Sequence, residues 1–339
     1  MALPDRTVRG GTMIATRTPF RFSFIGGGSD VPAYYEHYGP GRVVSIAVSK
    51  YMYIFLHPYF EEKFLLKYSQ TELVDQVELV QHPIIKAALR RFLFTALDIN
   101  SIADIPSGTG LGSSSAFTVG LLHALYAQNG MYVSKERLAR EACEIEIDEL
   151  NEPIGKQDQY ASSYGGLNKI SFHANGTVHV EPIPLGSRRI SELRDHLLVF
   201  YTGMRRNART VLSDQNDNLR NASHKLGLLG EMASMVDPFI KGLSEGDFQA
   251  CGQLLKEGWE RKQRLSALVA EDAISAYYRR AIDRGAYGGK LLGAGGGGFL
   301  LFMAPPDSHT AIRSELNELR ELDFGFDFDG SRIIHVGQY

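Results

Sequence analysis

The chain has 339 residues, 44% of them apolar and 22% charged, which is the balance of an ordinary globular protein with room for about two cores. A net charge of −3 leaves no broad basic field for nucleic acid, and no apolar run approaches the ~20 residues of a membrane span. The two cysteines, Cys143 and Cys251, form neither a disulfide framework nor a metal-ligand spacing, so a reducing cytoplasm is expected.

The first twelve residues carry charge and glycine but no apolar h-region. They read as an arm rather than a signal peptide, with the folded start near Met13. Ile14–Ile25 alternates, with Phe20, Phe22 and Phe24 on one face and Arg21 and Ser23 on the other, the pattern of a half-buried strand. It ends in Gly26-Gly27-Gly28-Ser29-Asp30, a loop in which Asp30 can face a pocket. Arg42–Leu56 and Lys63–Tyr68 read as neighbouring strands, Pro83–Leu97 as a helix and Ile99–Ile105 as a further strand.

Between that strand and a helix expected over Ala116–Ala127 lies Pro106-Ser107-Gly108-Thr109-Gly110-Leu111-Gly112-Ser113-Ser114-Ser115. Glycine admits positive φ and close approach of a ligand, and serines at a helix start offer caps and hydroxyls. Free N–H groups and the positive dipole end of the helix make an anion site there, with a polyphosphate as the obvious occupant. The plainer reading is a glycine loop with a good N-cap. No Gly-Lys-Ser/Thr follows, so this is not a Walker A loop.

Lys135–Leu150 reads as an amphipathic helix, with Glu146 near the middle of the apolar arc formed by Leu138, Ala139, Ala142, Cys143, Ile145, Ile147 and Leu150. An unpaired carboxylate facing an interior is costly, so Glu146 wants a cation. A buried ion pair or a protonated acid are the alternatives. A short helix is expected from near Lys156 to the stop at Gly165-Gly166. It carries Asp158, twelve residues after Glu146, a spacing that can return a second carboxylate to the same cavity.

Pro182, Pro184 and Gly186 mark the expected boundary between domains at 13–185 and 186–339. Leu197–Thr202 reads as a strand, running into a basic turn that holds Arg205, Arg206 and Arg209. Helices follow to about Arg284. Gly293-Ala294-Gly295-Gly296-Gly297-Gly298 satisfies Gly-x-Gly-x-x-Gly, but the strand Phe299–Met303 follows where a dinucleotide site needs a helix. Such glycines are expected to pack backbone against a ligand or another loop. Pro306–Leu322 reads as helical and Arg332–Val336 as a closing strand.

Pro106–Ala116 resembles, position for position, the second motif of the GHMP kinases (galactokinase, homoserine kinase, mevalonate kinase, phosphomevalonate kinase), Pro-x-x-x-Gly-Leu-Gly-Ser-Ser-x-Ala. Thr18–Asp30 and Leu292–Gly298 resemble the family's first and third motifs, in the same order. The resemblance implies an α+β fold, with an N-terminal ribosomal-protein-S5-like domain, a C-terminal ferredoxin-like domain and the site in the cleft between them. It also implies ATP and Mg²⁺. By the same resemblance Gly108, Gly110, Leu111, Gly112, Ser113, Ser114 and Ser115 bind the nucleotide. Ser114 and Glu146 ligate Mg²⁺, Asp158 is the catalytic aspartate and Arg21 its basic partner. Asp30, with Gly28 and Ser29, meets the sugar, and Gly295 and Gly296 lie on the substrate side of the third motif.

Gly-Gly-Gly-Ser-Asp replaces the Gly-Glu-His-Thr-Asp of galactokinase, so galactose is not expected. Gly-Gly-Gly-Ser-Asp, Gly-Lys-Gln-Asp-Gln-Tyr and Tyr-Thr-Gly-Met-Arg-Arg are most similar to the bacterial D-glycero-D-manno-heptose 7-phosphate kinases, which make the 1,7-bisphosphate. That resemblance implies a sugar phosphate and ATP as partners of a monomer or homodimer. Arg205 and Arg209, four apart on one helix face, are the expected fork for the existing phosphate, unless the turn is simply solvated. The competing readings are a fucokinase-like enzyme for an unphosphorylated sugar and an inactive sensor of the same fold. The sensor would lack a catalytic carboxylate or metal ligand, whereas Ser114, Glu146 and Asp158 are all present.

Overall fold

Two long strands, β1 (Ile14–Ile25) and β2 (Gly41–His57), pair antiparallel from Ile14↔Leu56 to Ile25↔Val44 and set the frame of the molecule. The computed structural model describes residues 12–204, 214, 223–266, 269 and 272–337. Because β2 is 17 residues long, it gives its two ends to different partners. Its second half pairs with β5 (Leu97–Ala103), and β5 pairs in parallel with β3 (Phe64–Lys67), which pairs with β4 (Thr71–Val74). Its first half pairs with β6 (Leu167–Phe172), which pairs with β7 (Val178–Pro182). A second, antiparallel sheet has the order β11-β8-β10-β9, from β8 (Leu197–Tyr201), β9 (Gly288–Leu291), β10 (Phe299–Met303) and β11 (Arg320–Glu321). The last strand, β12 (Arg332–Val336), returns to pair with β1. Residues 186–339 therefore do not all gather about the second sheet.

The helix Ser113–Gln128 packs on β1 and β2 and is buried nearly all round, more than one apolar face would require. One apolar core runs through both halves. Phe20, Phe22 and Phe24 of the first sheet share it with Phe239, Leu243 and Leu255 of the helices and with Leu301 and Met303 of the second sheet. Phe24 meets Phe239 with ring centroids 5.5 Å apart. A continuous core fixes how the two sheets flank the cleft between them.

The structure corrects several sequence expectations. β1 is not half-buried: Arg21 and Ser23 are as enclosed as the phenylalanines, because their side of the strand forms a wall of the cleft. Pro83–Arg90 is helical but the helix stops there, and Phe92 and Phe94 pack on the core from a turn. The 306–322 segment begins with a 3-10 turn at Pro306–Ser308 and is α-helical over His309–Glu315, but the helix stops there, before β11. β9 went unread because it starts with two glycines. A Cβ at Gly288 would lie 1.9 Å from the carbonyl oxygen of Gly252, and at Gly289 2.5 Å from that of Leu301. Among the described residues no helix is long and apolar enough to cross a membrane.

Candidate active site

The glycines of the second motif do what their spacing asks. Gly108, Gly110 and Gly112 all have positive φ, at +74°, +85° and +77°. Gly112 delivers the chain into the helix Ser113–Gln128 without a side-chain cap, so the first-turn N–H groups stay available to an anion. The third motif packs on the second, backbone to backbone. A Cβ at Gly293 would lie 2.4 Å from the Cα of Gly110, and one at Gly298 2.2 Å from the carbonyl oxygen of Thr109. Of the two alternatives for those glycines, the neighbouring loop is the one found. Gly295 and Gly296 are buried against the backbone of Val269, while Gly293 and Ala294 line the cleft.

Beside these loops opens a cleft with about 770 Å³ of empty space. Arg21 and Asp158 meet in its wall, with Nε donating to Oδ1 at 2.7 Å and Nη2 to Oδ2 at 2.6 Å. The remaining arm of Arg21, Nη1, donates to the carbonyl oxygen of Gly110 at 2.6 Å, and its main-chain N–H donates to that of Leu111 at 3.2 Å. β1 bulges on both sides of Arg21, after Pro19 and after Ser23, which aims this residue at the loop. Asp158, in the first turn of the helix Gln157–Tyr164, sits against Gly112, whose Cβ would be 3.2 Å from Oδ2. The carboxylate thus lies at the start of the helix Ser113–Gln128.

Asp30 also lines the cleft. Its Oδ1 accepts from the N–H of Gly28 at 3.0 Å and its Oδ2 from that of Gln157 at 3.2 Å. Burial, then the charge of Asp158, raise its pKa above the usual carboxylate range. Gly28 faces the same space. Ser29 turns away from it: its hydroxyl donates to the carbonyls of Gly26 and Arg42 and accepts from the N–H of Arg42. Arg205 and Arg209 lie outside the described residues.

Glu146 faces inward, as its helical phase requires, but not on an α-helix. The helix Lys135–Cys143 widens at Glu144 into a π-helical stretch, Glu144–Glu149. There Oε1 of Glu146 accepts from the hydroxyl of Ser114 at 2.6 Å and Oε2 from Nε2 of Gln159 at 2.8 Å. Both donors are neutral, and the buried Oε1 of Gln159 has no partner among the described residues. Burial first, with the charge of Asp158 adding, pushes Glu146 up to about 7 against the hydrogen bonds of Ser114, Gln159 and Ser115. A buried carboxylate that pairs with no cation among the described residues, next to a hydroxyl and a glycine-rich loop, is an oxygen donor set that suits Mg²⁺. Among the described residues no three His, Cys, Asp or Glu side chains gather about a metal position. Mg²⁺ bound largely through phosphates and water needs no such cluster.

Sequence reasoning missed two lysines of this cleft. Lys290, on β9, is buried and donates to the carbonyls of Ser23 at 2.8 Å and Phe24 at 3.1 Å, joining the second sheet to β1. Burial, then Lys262 and Arg21, hold its pKa well below the lysine range. Lys262, on the helix Phe248–Leu265, donates to the carbonyl of Gly293. A signal for it existed: Leu255, Trp259 and Leu265 set the buried face, and Lys262 falls on it.

Two family models match the chain, the GHMP kinases N terminal domain over residues 78–166 and the GHMP kinases C terminal domain over residues 239–321. A D-glycero-alpha-D-manno-heptose 7-phosphate kinase of Campylobacter jejuni is 30% identical over 92% of this chain and 96% of its own. The L-fucokinase/L-fucose-1-P guanylyltransferase of Bacteroides fragilis is 26% identical over 91% of this chain, which spans 36% of that longer protein. Among solved structures, a D-glycero-D-manno-heptose 1-phosphate kinase from Bacteroides thetaiotaomicron has a TM-score of 0.76 at 24% identity, covering 96% of this chain and 99% of its own. A sugar kinase structure from Campylobacter jejuni has a TM-score of 0.74 at 25% identity, covering 99% of this chain and 100% of its own. The chain belongs to the GHMP kinase family and is an ATP-dependent kinase.

Proposed function

We propose that this kinase transfers the γ-phosphoryl group of ATP to the anomeric hydroxyl of D-glycero-D-manno-heptose 7-phosphate. The product is the 1,7-bisphosphate, a step toward nucleotide-activated heptose for surface polysaccharide. The observation that carries the reaction type is Asp158, clamped by Arg21 and set against Gly112 at the start of the anion-binding helix. The heptose-phosphate kinase of Campylobacter jejuni, similar along almost the whole chain, supports the choice of sugar.

The chemistry follows from the residues. Phosphoryl transfer passes through a loose transition state, so positioning and charge matter most. Asp158 takes the proton of the anomeric hydroxyl, and Arg21 fixes the direction of its carboxylate. Asp30, with Gly28 beside it, accepts hydrogen bonds from hydroxyls of the sugar ring. The loop Gly108–Ser115 receives the nucleotide phosphates on its main-chain N–H groups. Ser114 and Glu146 would hold Mg²⁺, which when bound offsets charge on those phosphates. Arg205 and Arg209 remain the proposed fork for the 7-phosphate. Cys143 and Cys251, free and buried, fit a reducing cytoplasm as the place of work.

The test is kcat/KM for the heptose 7-phosphate, the same heptose without phosphate, and L-fucose, in the parent and in Arg205→Ala/Arg209→Ala. The expected result is a strong parental preference for the phosphorylated sugar, largely erased in the double variant. No preference would hand the assignment to the fucokinase-like reading. A preference that survives the double variant would leave the substrate standing and move its phosphate to other residues.

A further inference from the structure

The cleft holds a lysine with no assigned task. Arg21 has all three of its side-chain nitrogens engaged, by Asp158 and by the carbonyl of Gly110. Lys290 spends two of its N–H groups on the carbonyls of β1. Lys262 differs: among the described residues its ammonium makes one hydrogen bond, to the carbonyl of Gly293. Two of its three N–H groups are therefore left for a ligand. The side chain is buried and lines the same cleft as Asp158 and Asp30. A stranded ammonium among protein groups is expensive, and a solvated surface role is closed to it.

The surroundings say what kind of ligand it waits for. The charged groups that face Lys262 are Arg21, Asp30, Asp158 and Lys290. Arg21 and Lys290 repel it, while Asp30 and Asp158 attract it across the cleft. An anion entering the cleft would offset the repulsion between Arg21 and Lys262. Phosphoryl transfer puts such an anion beside Asp158.

We propose that Lys262 is a catalytic residue of this kinase, donating hydrogen bonds to the phosphoryl group in flight between nucleotide and acceptor. In that step the bond from the γ-phosphorus to the bridging oxygen breaks, and its electron pair leaves on ADP. The acceptor oxygen forms the new bond to phosphorus, and its proton goes to Asp158. Lys262 forms no bond and stays protonated throughout. Its place on a helix of the C-terminal half, tied to the third-motif loop, supplies from that half a cation to complement the N-terminal loop. Burial, then the neighbouring charge of Arg21, hold Lys262 down to about 8, with Asp30 and Asp158 opposing. An ammonium needed in its charged form therefore gives kcat/KM an alkaline limb near that pH.

The experiment compares Lys262→Met and Lys262→Arg with the parent, using ATP and the acceptor that the parent turns over best. Lys262→Met is expected to lose about 10²-fold or more in kcat, as removal of a transition-state donor does, with both KM values within about threefold. Lys262→Arg is expected to recover part of that loss and to keep kcat/KM level through pH 8–9, where the parent declines. A Lys262→Met variant with kcat within about threefold of the parent overturns the proposal. So does an alkaline limb that is the same in Lys262→Arg and the parent, and this second measurement decides if Lys262→Met does not fold. The inference rests on Asp158 as the base, and Asp158→Asn separates the two. Turnover kept in Asp158→Asn but lost in Lys262→Met removes the base assignment and leaves Lys262. The reverse removes Lys262 alone.

Discussion

Arg21 grips Asp158 in a bidentate pair, 2.7 and 2.6 Å, and with its third arm holds the carbonyl of Gly110. One side chain thus joins the first motif, the second motif and Asp158, the proposed base. Asp158→Asn should lower kcat by about 10²-fold or more, the usual size of general-base help. Arg21→Lys should also lose activity, since one ammonium cannot reproduce a planar fork shared between a carboxylate and a carbonyl. Steady-state kinetics decide: a loss in Asp158→Asn confined to KM would make Asp158 a binding residue.

Glu146 offers a different separation. Its carboxylate is buried, paired with Ser114 and Gln159, and among the described residues no cation pairs with it. Glu146→Gln keeps the shape and removes the charge. Most turnover should disappear, while nucleotide affinity measured without Mg²⁺ stays near the parent's. The Mg²⁺-dependent gain in nucleotide affinity should shrink with turnover. Near-normal turnover in this variant would refute the assignment.

These two residues also show how far the sequence could be read. Glu146 was legible because a helix carries its phase along the chain, and one charge on an apolar arc is conspicuous. The π-helical turn that aims it was not legible, since no residue type marks it. β1 and its Phe face were plain, but the burial of Arg21 and Ser23 depends on the distant C-terminal half covering the other face. Lys262 and Lys290 were overlooked for a related reason. Lys290 lies in a stretch that reads as loop, and Lys262 on the buried face of one that reads as ordinary helix, and it is the fold that brings both into the cleft lined by Asp158. Ser29 looked like its neighbours Gly28 and Asp30 in sequence, yet alternation along the loop sends its hydroxyl inward to Arg42.

The contact between the two glycine loops can be tested against a glycine that matters only to itself. Gly293 has φ +74°, and a Cβ there would lie 2.4 Å from the Cα of Gly110. Gly176 has φ +81° and nothing within 4 Å of its would-be Cβ. Gly176→Ala should cost about 1 kcal/mol from backbone strain and leave kinetics unchanged. Gly293→Ala carries the same strain plus a collision that must displace one loop. It should raise the KM for ATP and lower kcat as well as destabilise further. Urea unfolding and ATP kinetics on both variants measure this, and equal behaviour of the two would show that the loops do not depend on each other.

The closing strand provides a pH-dependent prediction away from the cleft. His123, on the helix Ser113–Gln128, lies 3.0 Å from the hydroxyl of Ser331, which in turn meets the hydroxyl of Thr18 at 2.8 Å on β1. The ring is tucked between the helix and the segment that leads into β12, and burial pushes its pKa down to about 4. In the unfolded chain it titrates near 6.5. Between these values the unfolded state holds a proton that the folded state refuses. The neutral ring therefore contributes its full stability above pH 6.5 and loses it as pH falls toward 4, by up to about 3 kcal/mol. His123→Gln keeps a polar group for Ser331 and removes the titration. Urea unfolding at pH 7 and pH 4.5 should show the parent losing about 2 kcal/mol more than the variant over that interval. Equal losses in the two proteins would mean that the ring takes up its proton without disturbing β12, and that acid sensitivity arises elsewhere.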